Sequence, residues 1–244
     1  MTQVRYETWT GGEGIPSERF CRDVLAVAKR TGAKRLCDIG AGANPLLDRE
    51  EARAAGIEDY VLTDISAAEL EKAPAGFEKV VADVTAGPRL DLGPFDLIVS
   101  HTVAEHVKDA ERLHRSCQAM LAPGGSAMHF FPTFYEPVFL ANRVIPEGLG
   151  ESILGRLQDQ REKEGDHGKF PALYRWCRGP TPKQLRRLEA CGYEVESYVG
   201  VFGHGYFDKF KALARLEWHL ADTLQRHPIP ALTSYAWVQL RRPA

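Results

Sequence analysis

The sequence predicts an α/β protein built on a doubly wound, seven-stranded mixed sheet. Short apolar runs alternate with helix-length amphipathic stretches along most of the chain. These runs are apolar at successive positions, which is typical of strands covered by helices on both faces. The 244 residues are enough for one α/β domain with insertions, so we expect residues 1–244 to form a single domain.

The first half of the chain shows the alternation most clearly. Phe20, Val24 and Val27 recur at helical spacing, and Gly32 can end a helix, so residues 15–30 predict a helix that covers the sheet. Five strands and three helices follow: strands at 35–39, 60–63, 79–84, 95–100 and 127–131, and helices at 46–55, 67–73 and 109–121.

The second half of the chain is less regular. Residues 132–180 and 200–230 are rich in aromatic residues, and the first of these segments is also rich in proline. We expect both to be helical or irregular cap insertions. The remaining elements are a helix at 181–190, a strand at 193–199, a helix at 208–226 and a strand at 234–240. The last two strands are predicted to be antiparallel neighbours.

The charge balance and the cysteines speak against several classes of protein. Thirty-one basic and 33 acidic residues give a net charge of −2, so no basic field favours nucleic acid. The apolar runs are too short for a bilayer helix and residues 1–10 lack a signal-peptide pattern, so we expect no membrane contact and a cytoplasmic location. The five cysteines form no C-x-x-C pair, which disfavours a disulfide framework or a thiolate zinc site.

A glycine-containing turn follows the first of these sheet strands. Residues 36–45 read LCDIGAGANP, with Asp38 before the turn and Gly40 and Gly42 within it. Glycines let the backbone approach a ligand closely. A dinucleotide fingerprint would have a third glycine where this chain has Pro45, and Asp38 would repel a phosphate. The turn therefore predicts a small-molecule site that does not hold pyrophosphate.

Later segments repeat this pattern of an acidic residue at a strand end. Asp64 closes the run 61–65 and Asp83 lies in the run 81–84, while residues 95–107 and the turn 121–125 complete the series. In this order and spacing the segments resemble the motifs of class I S-adenosylmethionine-dependent methyltransferases, over residues 35–131.

The resemblance implies S-adenosylmethionine as cofactor and S-adenosylhomocysteine as product. It places the glycines beside the methionine part, Asp38 at its ammonium group, Asp64 at the ribose hydroxyls, and Asp83 with Val84 at the adenine. A rim of carboxylates attracts a sulfonium compound and disfavours a phosphate. The implied cofactor contacts are Asp38, Gly40, Gly42, Asp64, Ile65, Asp83, Val84 and Ser100.

Histidines supply the candidate catalytic groups. An imidazole titrates near neutral pH and can take the proton that an alcohol loses during methylation. His101 follows the strand at 95–100, and His167 and His204 lie in the irregular segments. This favours O-methylation over N-methylation. No H-x-x-x-H or H-E-x-x-H pair is present, so we expect no metal.

The aromatic second half predicts an enclosed site for a small-molecule acceptor. Two arginines among rings in residues 170–180 favour an acidic acceptor, although solvated salt bridges and a second small core explain the same residues equally well. The predicted acceptor contacts are Tyr135, Tyr174, Arg175, Trp176 and Tyr206. Three alternatives stay open: a nicotinamide-dependent oxidoreductase, a non-catalytic cofactor-binding module and, more weakly, a nucleic-acid methylase. The sequence leaves the oligomeric state open.

Overall fold

The described part of the protein contains eight strands, six α-helices and two short 3₁₀ helices, Ala104–His106 and Pro230–Leu232. The structure is a computed structural model, and it describes residues 2–10, 14–134, 172–205, 207 and 210–244. The strands are β1 (Gln3–Thr8), β2 (Arg35–Ile39), β3 (Asp59–Asp64), β4 (Glu78–Val81), β5 (Phe95–His101), β6 (Leu121–Pro132), β7 (Glu194–Phe202) and β8 (Tyr235–Arg241). The helices are α1 (Pro16–Thr31), α2 (Arg49–Ala54), α3 (Ala67–Lys72), α4 (Ala110–Met120), α5 (Pro182–Glu189) and α6 (Lys211–Arg226).

All eight strands belong to one sheet, in the order β1-β7-β8-β6-β5-β2-β3-β4. Only β8 runs against its neighbours, because it pairs antiparallel with both β6 and β7 while the other pairs are parallel. Seven strands therefore point the same way, and their carboxyl ends share one edge of the sheet. Small-molecule sites in open α/β sheets lie beyond this edge.

The α/β class, the mixed sheet and the antiparallel last pair are confirmed, and the sheet gains an eighth strand. Residues 1–10 carry no predicted strand, yet Gln3–Thr8 pairs in parallel with β7, from Gln3 opposite Ser197 to Thr8 opposite Phe202. This edge strand is exposed along its first half. Residues 3–8 read QVRYET, in which Val4, Tyr6 and Thr8 alternate with polar residues. This is the period of a half-buried strand, so the sequence does carry a short signal for β1.

Two apolar layers cover the two faces of the sheet. Phe20 and Val24 of α1 pack with Leu97 and Val99 of β5 on one face, and Leu113 and Cys117 of α4 pack with Ile98 of β5 on the other. Successive strand residues point to opposite faces. At the end of β5, His101 therefore lies on the α1 face and Ser100 on the α4 face.

The second half is described only in part. Most of the segment 132–180 lies outside the described residues, so its cap role stays a prediction, as does the single-domain assignment. In the segment 200–230, α6 forms as predicted, and Ala221 is the residue of this helix that is buried. Within the described ranges, no helix combines the length and the apolar character needed to cross a bilayer.

Candidate cofactor and active site

The turn after β2 folds against the end of β3. Gly40 and Gly42 adopt left-handed φ angles of 69° and 51°, which glycine adopts without strain. The amides of Gly40 and Ala41 donate to the carbonyl of Thr63 at 2.7 and 3.1 Å. A Cβ added at Gly40 would lie 2.5 Å from Cγ2 of Val103. The turn is therefore packed too tightly for any side chain at this position.

Asp38 is buried beneath this turn and hydrogen bonds the residues that follow it. Its side chain is 2% exposed, and Oδ2 accepts hydrogen bonds from the Leu46 amide at 2.8 Å and the Tyr60 hydroxyl at 3.0 Å. Burial raises the pKa of Asp38 to about 7, against the lowering effect of these two donors. Within the described residues Oδ1 accepts no hydrogen bond, so only this oxygen is left for the predicted contact with an ammonium group.

Asp64 connects the turn to the start of α3. Its Oδ2 accepts from the Gly42 amide at 3.0 Å, and its Oδ1 accepts from the Ser66 amide at 2.8 Å. The side chain is half-buried, and each carboxylate oxygen has a second lone pair available. Ile65 beside it is 56% exposed. Both residues thus border the turn, where ribose hydroxyls would find an acceptor.

Asp83 lies past its strand and not at the strand end. β4 ends at Val81, and Asp83 caps a turn by accepting from the amide and the hydroxyl of Thr85 at 2.8 and 2.6 Å. These donors lower the pKa of Asp83. The Ala82 amide donates to the Asp64 carbonyl at 2.9 Å, so Asp83 still borders Asp64. Val84 is buried at 6% exposure, behind this exposed carboxylate.

These residues fit S-adenosylmethionine. Three carboxylates lie at one sheet edge, Asp38 near the end of β2, Asp64 at the end of β3 and Asp83 just past β4, beside a turn that favours glycine. A group with a sulfonium and an ammonium charge matches such an edge, whereas a pyrophosphate does not. The turn and Asp64 are the residues that would hold the cofactor. We found no group of three metal-binding side chains in the parts of the chain that the structure describes.

His101 lies at the same edge, at the end of β5. Its ring stacks on Phe130 with centroids 4.8 Å apart and planes 12° apart, and it faces Phe20 at 6.3 Å. Its Nε2 is buried and has no hydrogen-bond partner. Burial lowers the pKa of His101 below the ordinary histidine value. At neutral pH the ring is therefore uncharged, with one nitrogen left to accept a proton.

The other predicted residues of this edge are placed differently. Ser100 is fully buried on the opposite face, where its hydroxyl hydrogen bonds Nδ1 of His129 at 2.8 Å. Because the hydroxyl points to the opposite face, only the backbone of Ser100 is placed for the predicted cofactor contact. His204 follows β7 and lies 3.2 Å from the Glu217 carboxylate of α6 through Nδ1. His167 lies outside the described residues.

The acceptor residues are described in part. Tyr174 and Trp176 have left-handed φ angles of 50° and 61°, and the Tyr174 amide donates to the carbonyl of Glu105 at 2.9 Å. Tyr174 thus borders the loop that follows β5, whereas the Trp176 ring stacks on His114 of α4 with centroids 6.0 Å apart. Arg175 between them is exposed. Arg178 donates Nη1 to the carbonyls of Tyr174 and Cys177 at 2.9 Å each. Tyr135 and Tyr206 lie outside the described residues.

Three residues of the site have no signal in the sequence analysis. Tyr60 holds Asp38, Val103 backs Gly40, and Glu105 is 4% exposed with Oε2 lacking a hydrogen-bond partner. Burial raises the pKa of Glu105 to about 8. Tyr60 and Val103 read as ordinary core residues, because their roles depend on contacts between distant elements. For Glu105 the sequence offers one signal, an acidic residue a few positions after the buried strand β5.

A comparison with protein-family models decides the family. The model described as "Methyltransferase domain" matches residues 15–198, which include the glycine turn, the three carboxylates and His101. The chain belongs to this methyltransferase family. S-adenosylmethionine is the cofactor of this methyltransferase, and the nicotinamide-dependent alternative is wrong, as Pro45 and Asp38 already indicated.

Two curated relatives of the methyltransferase carry one name. The ubiquinone biosynthesis O-methyltransferase of Caulobacter sp. (strain K31) is 36% identical over 96 residues, covering 37% of this chain and 38% of the relative. The protein of the same name from Ralstonia nicotianae is 28% identical over 168 residues, covering 64% of this chain and 66% of the relative. The matches therefore span less than two thirds of each relative's length.

Solved structures share the fold of the methyltransferase. An S-adenosylmethionine-dependent methyltransferase from Mesorhizobium loti has a TM-score of 0.52 and 20% identity, covering 90% of this chain and 96% of that chain. Another from Clostridium acetobutylicum has a TM-score of 0.57 and 11% identity, covering 94% and 93% of the two chains. At these identities the likeness concerns the fold alone.

Proposed function

We propose that this methyltransferase transfers a methyl group to an oxygen atom of a small molecule, with His101 as the general base. The names of the two curated relatives support an oxygen acceptor. The charge balance, with 31 basic and 33 acidic residues, offers no general attraction for a nucleic acid. These observations favour a small hydroxylated compound over a macromolecule.

The buried Nε2 of His101 is the observation that carries the proposal. A hydroxyl group is a poor nucleophile until it loses its proton, whereas a free amine already has a lone pair. His101 offers an uncharged ring whose Nε2 has no hydrogen-bond partner. Its strand is a direct neighbour of β2, which ends at the glycine turn. Nε2 is closed to solvent within the described residues, so a base in this position serves an oxygen acceptor only once a path to this nitrogen opens.

The chain's own residues orient the two reactants. When bound, S-adenosylmethionine supplies a methyl group activated by its sulfonium sulfur. The glycine turn and Asp64 hold the cofactor by backbone approach and by carboxylate acceptors, and Asp38 faces its ammonium group through Oδ1. Asp83 and Val84 flank the adenine, with Ile65 and the backbone of Ser100 completing the border. Alignment in a dry pocket is the main catalytic requirement.

The acceptor lies between His101 and the segment after residue 171 in this proposal. Tyr174 lies beside the loop that carries Glu105, and an aromatic wall suits a planar acceptor. Trp176, which stacks on His114 of α4, remains a proposed contact. Arg175 is the guanidinium available to an acidic group on that acceptor, since Arg178 is bonded within its own loop. His204, His167, Tyr135 and Tyr206 remain proposed contacts from the second half of the chain.

A methylation assay tests this function. The full chain is incubated with S-adenosylmethionine and matched phenols, carboxylic acids and amines, and the products are identified by mass spectrometry. We expect phenols to be methylated on oxygen. His101→Asn should lower kcat by about 100-fold, since a positioned base contributes this much or more, while the dissociation constant of the cofactor stays within about twofold.

The control is a histidine on the outside of the fold. His219 lies exposed on α6, so His219→Asn removes an imidazole without touching the site and should keep full activity. Exclusive methylation of amines would refute the oxygen acceptor. A fully active His101→Asn variant would refute the assignment of the base.

A further inference from the structure

Thr102 directly after His101 has a costly backbone conformation. Its φ angle is 54°, in the left-handed region that a β-branched residue adopts only under constraint. The Thr102 amide donates to the Phe130 carbonyl at 2.9 Å, which fixes the turn against β6. Glycine would form this turn without strain, which directs attention to the contacts of the threonine side chain.

The hydroxyl of Thr102 bridges two groups of His101. Oγ1 donates to the His101 carbonyl at 2.8 Å and lies 3.4 Å from Nδ1 of the same residue. A hydroxyl has one hydrogen to donate and lone pairs to accept with. The carbonyl is the nearer group and can only accept, so it is the preferred partner of the hydroxyl hydrogen, which leaves Oγ1 to face the imidazole as an acceptor. An acceptor beside Nδ1 favours the tautomer that carries the hydrogen on Nδ1.

We propose that Thr102 is a positioning residue that keeps the hydrogen of His101 on Nδ1, so that Nε2 presents a lone pair to the acceptor hydroxyl. The inference rests on the proposed function, because it explains how His101 becomes a base. The left-handed turn brings Oγ1 back over its own preceding residue, and stacking on Phe130 holds the imidazole plane. The partner of one ring nitrogen thus sets the state of the other.

Nitrogen NMR of the free protein tests the tautomer directly. Spectra of the ¹⁵N-histidine-labelled chain at neutral pH distinguish a protonated from an unprotonated ring nitrogen, and His101→Asn assigns the signals. Thr102→Ser keeps the hydroxyl and Thr102→Ala removes it, while both lose the same methyl group. We expect Nδ1–H in the wild type and in Thr102→Ser, and a shift toward Nε2–H in Thr102→Ala.

The same pair of variants separates positioning from folding. With a methylated phenol as the reaction product, Thr102→Ala should lower kcat about tenfold, within the range of acid–base effects, and Thr102→Ser should stay within about twofold. The dissociation constant of S-adenosylmethionine should be equal in both. If Thr102→Ala does not fold, Thr102→Gly replaces it, because glycine accepts the left-handed turn and also lacks the hydroxyl.

Two outcomes overturn the inference. One is Nε2–H as the wild-type tautomer. The other is an unchanged tautomer in the variant without the hydroxyl. Both are read from free protein, so they are independent of the acceptor: loss of the oxygen acceptor in the methylation assay refutes the proposed function and leaves the tautomer result standing.

Discussion

At the scale of single residues, the site depends on acids and bases whose surroundings change their ordinary behaviour. Asp38 is buried and its pKa is raised to about 7, while Asp83 is exposed and its pKa is lowered. Burial has made Asp38 a weak acid, whereas hydrogen bonds from Thr85 have made Asp83 a stronger one. The two carboxylates, on either side of β3 at the same sheet edge, thus have different average charges near neutral pH.

Asp38 makes the cofactor-free protein less stable as the pH rises. Its folded pKa of about 7 exceeds the ordinary value of 3.8, so the folded state binds more protons between these values, and stability falls as the pH increases through this window. Asp38→Asn keeps an acceptor for Leu46 and Tyr60 but cannot ionise. The free energy of unfolding, measured with urea between pH 5 and pH 8, should therefore fall more steeply with pH for the wild type than for Asp38→Asn. Parallel pH profiles would contradict this.

Asp64 should matter more for the cofactor than for the fold. Asp64→Asn keeps one oxygen acceptor but loses the charge, so we expect the dissociation constant of S-adenosylmethionine to rise about tenfold, as for the loss of a charged hydrogen bond. Calorimetric titration measures it. Asp59 at the opposite end of β3 is 61% exposed in its pair with Arg35, and Asp59→Asn should bind the cofactor normally. Equal binding by both variants would remove Asp64 from the site.

The sequence predicts where the acidic residues of the site lie, but it does not predict the contacts that hold them. Asp38, Asp64 and the two glycines stand at the turn where the spacing placed them. The tight contact of Gly40 with Val103, the hold of Tyr60 on Asp38 and the left-handed Thr102 have no local signature, because each joins residues that are far apart in sequence or depends on backbone angles.

At the scale of elements, the glycine turn and the loop after β5 form one packed unit. They meet where Gly40 faces Val103, so the part that holds the cofactor touches the part that follows the proposed base. The strands β2, β3 and β5 that deliver these loops match their predicted positions, because buried central strands give continuous apolar runs. β1 has the alternation of a strand but only six residues, and β4 ends at Val81, before the predicted position 84.

Gly40→Ala tests this packed unit. Gly32 has a similar φ of 67° but no atom within 4 Å of an added Cβ, whereas Gly40 has Val103 at 2.5 Å. Gly32→Ala should cost about 1 kcal/mol for the backbone alone, and Gly40→Ala about 2 to 4 kcal/mol with the clash added. Urea unfolding measures both. Val103→Ala in the Gly40→Ala background should restore part of the loss, and equal losses at the two glycines would contradict the contact.

At the scale of the whole molecule, β1 connects α1 with β7, two elements far apart in the sequence. Two ion pairs fasten it to α1: Arg19 with Glu7 at 2.8 Å, where the Arg19 side chain is 8% exposed, and Arg5 with Asp23 at 2.8 Å, which is far more exposed. Arg19 also donates to the carbonyl of Thr8 at 2.8 Å. The sheet edge is thus fixed by a buried guanidinium.

The two ion pairs should differ in their contribution to stability. Glu7→Gln leaves a buried positive charge with a weaker partner, so the free energy of unfolding should fall by about 2 kcal/mol. Arg5→Gln breaks a solvated pair and should change it by less than about 1 kcal/mol. Denaturant titration of the full chain compares them. A larger loss from Arg5→Gln would show that β1 is held in another way.

The pairing of β1 with β7 also constrains how the chain folds during synthesis. Gln3 and its neighbours are synthesised almost two hundred residues before Ser197–Phe202, the residues with which they form the strand pair. A contact between residues so far apart in sequence forms slowly, and until it forms the unpaired backbone of β1 can pair with a wrong strand. We therefore expect the pairing of β1 with β7 to form late in folding.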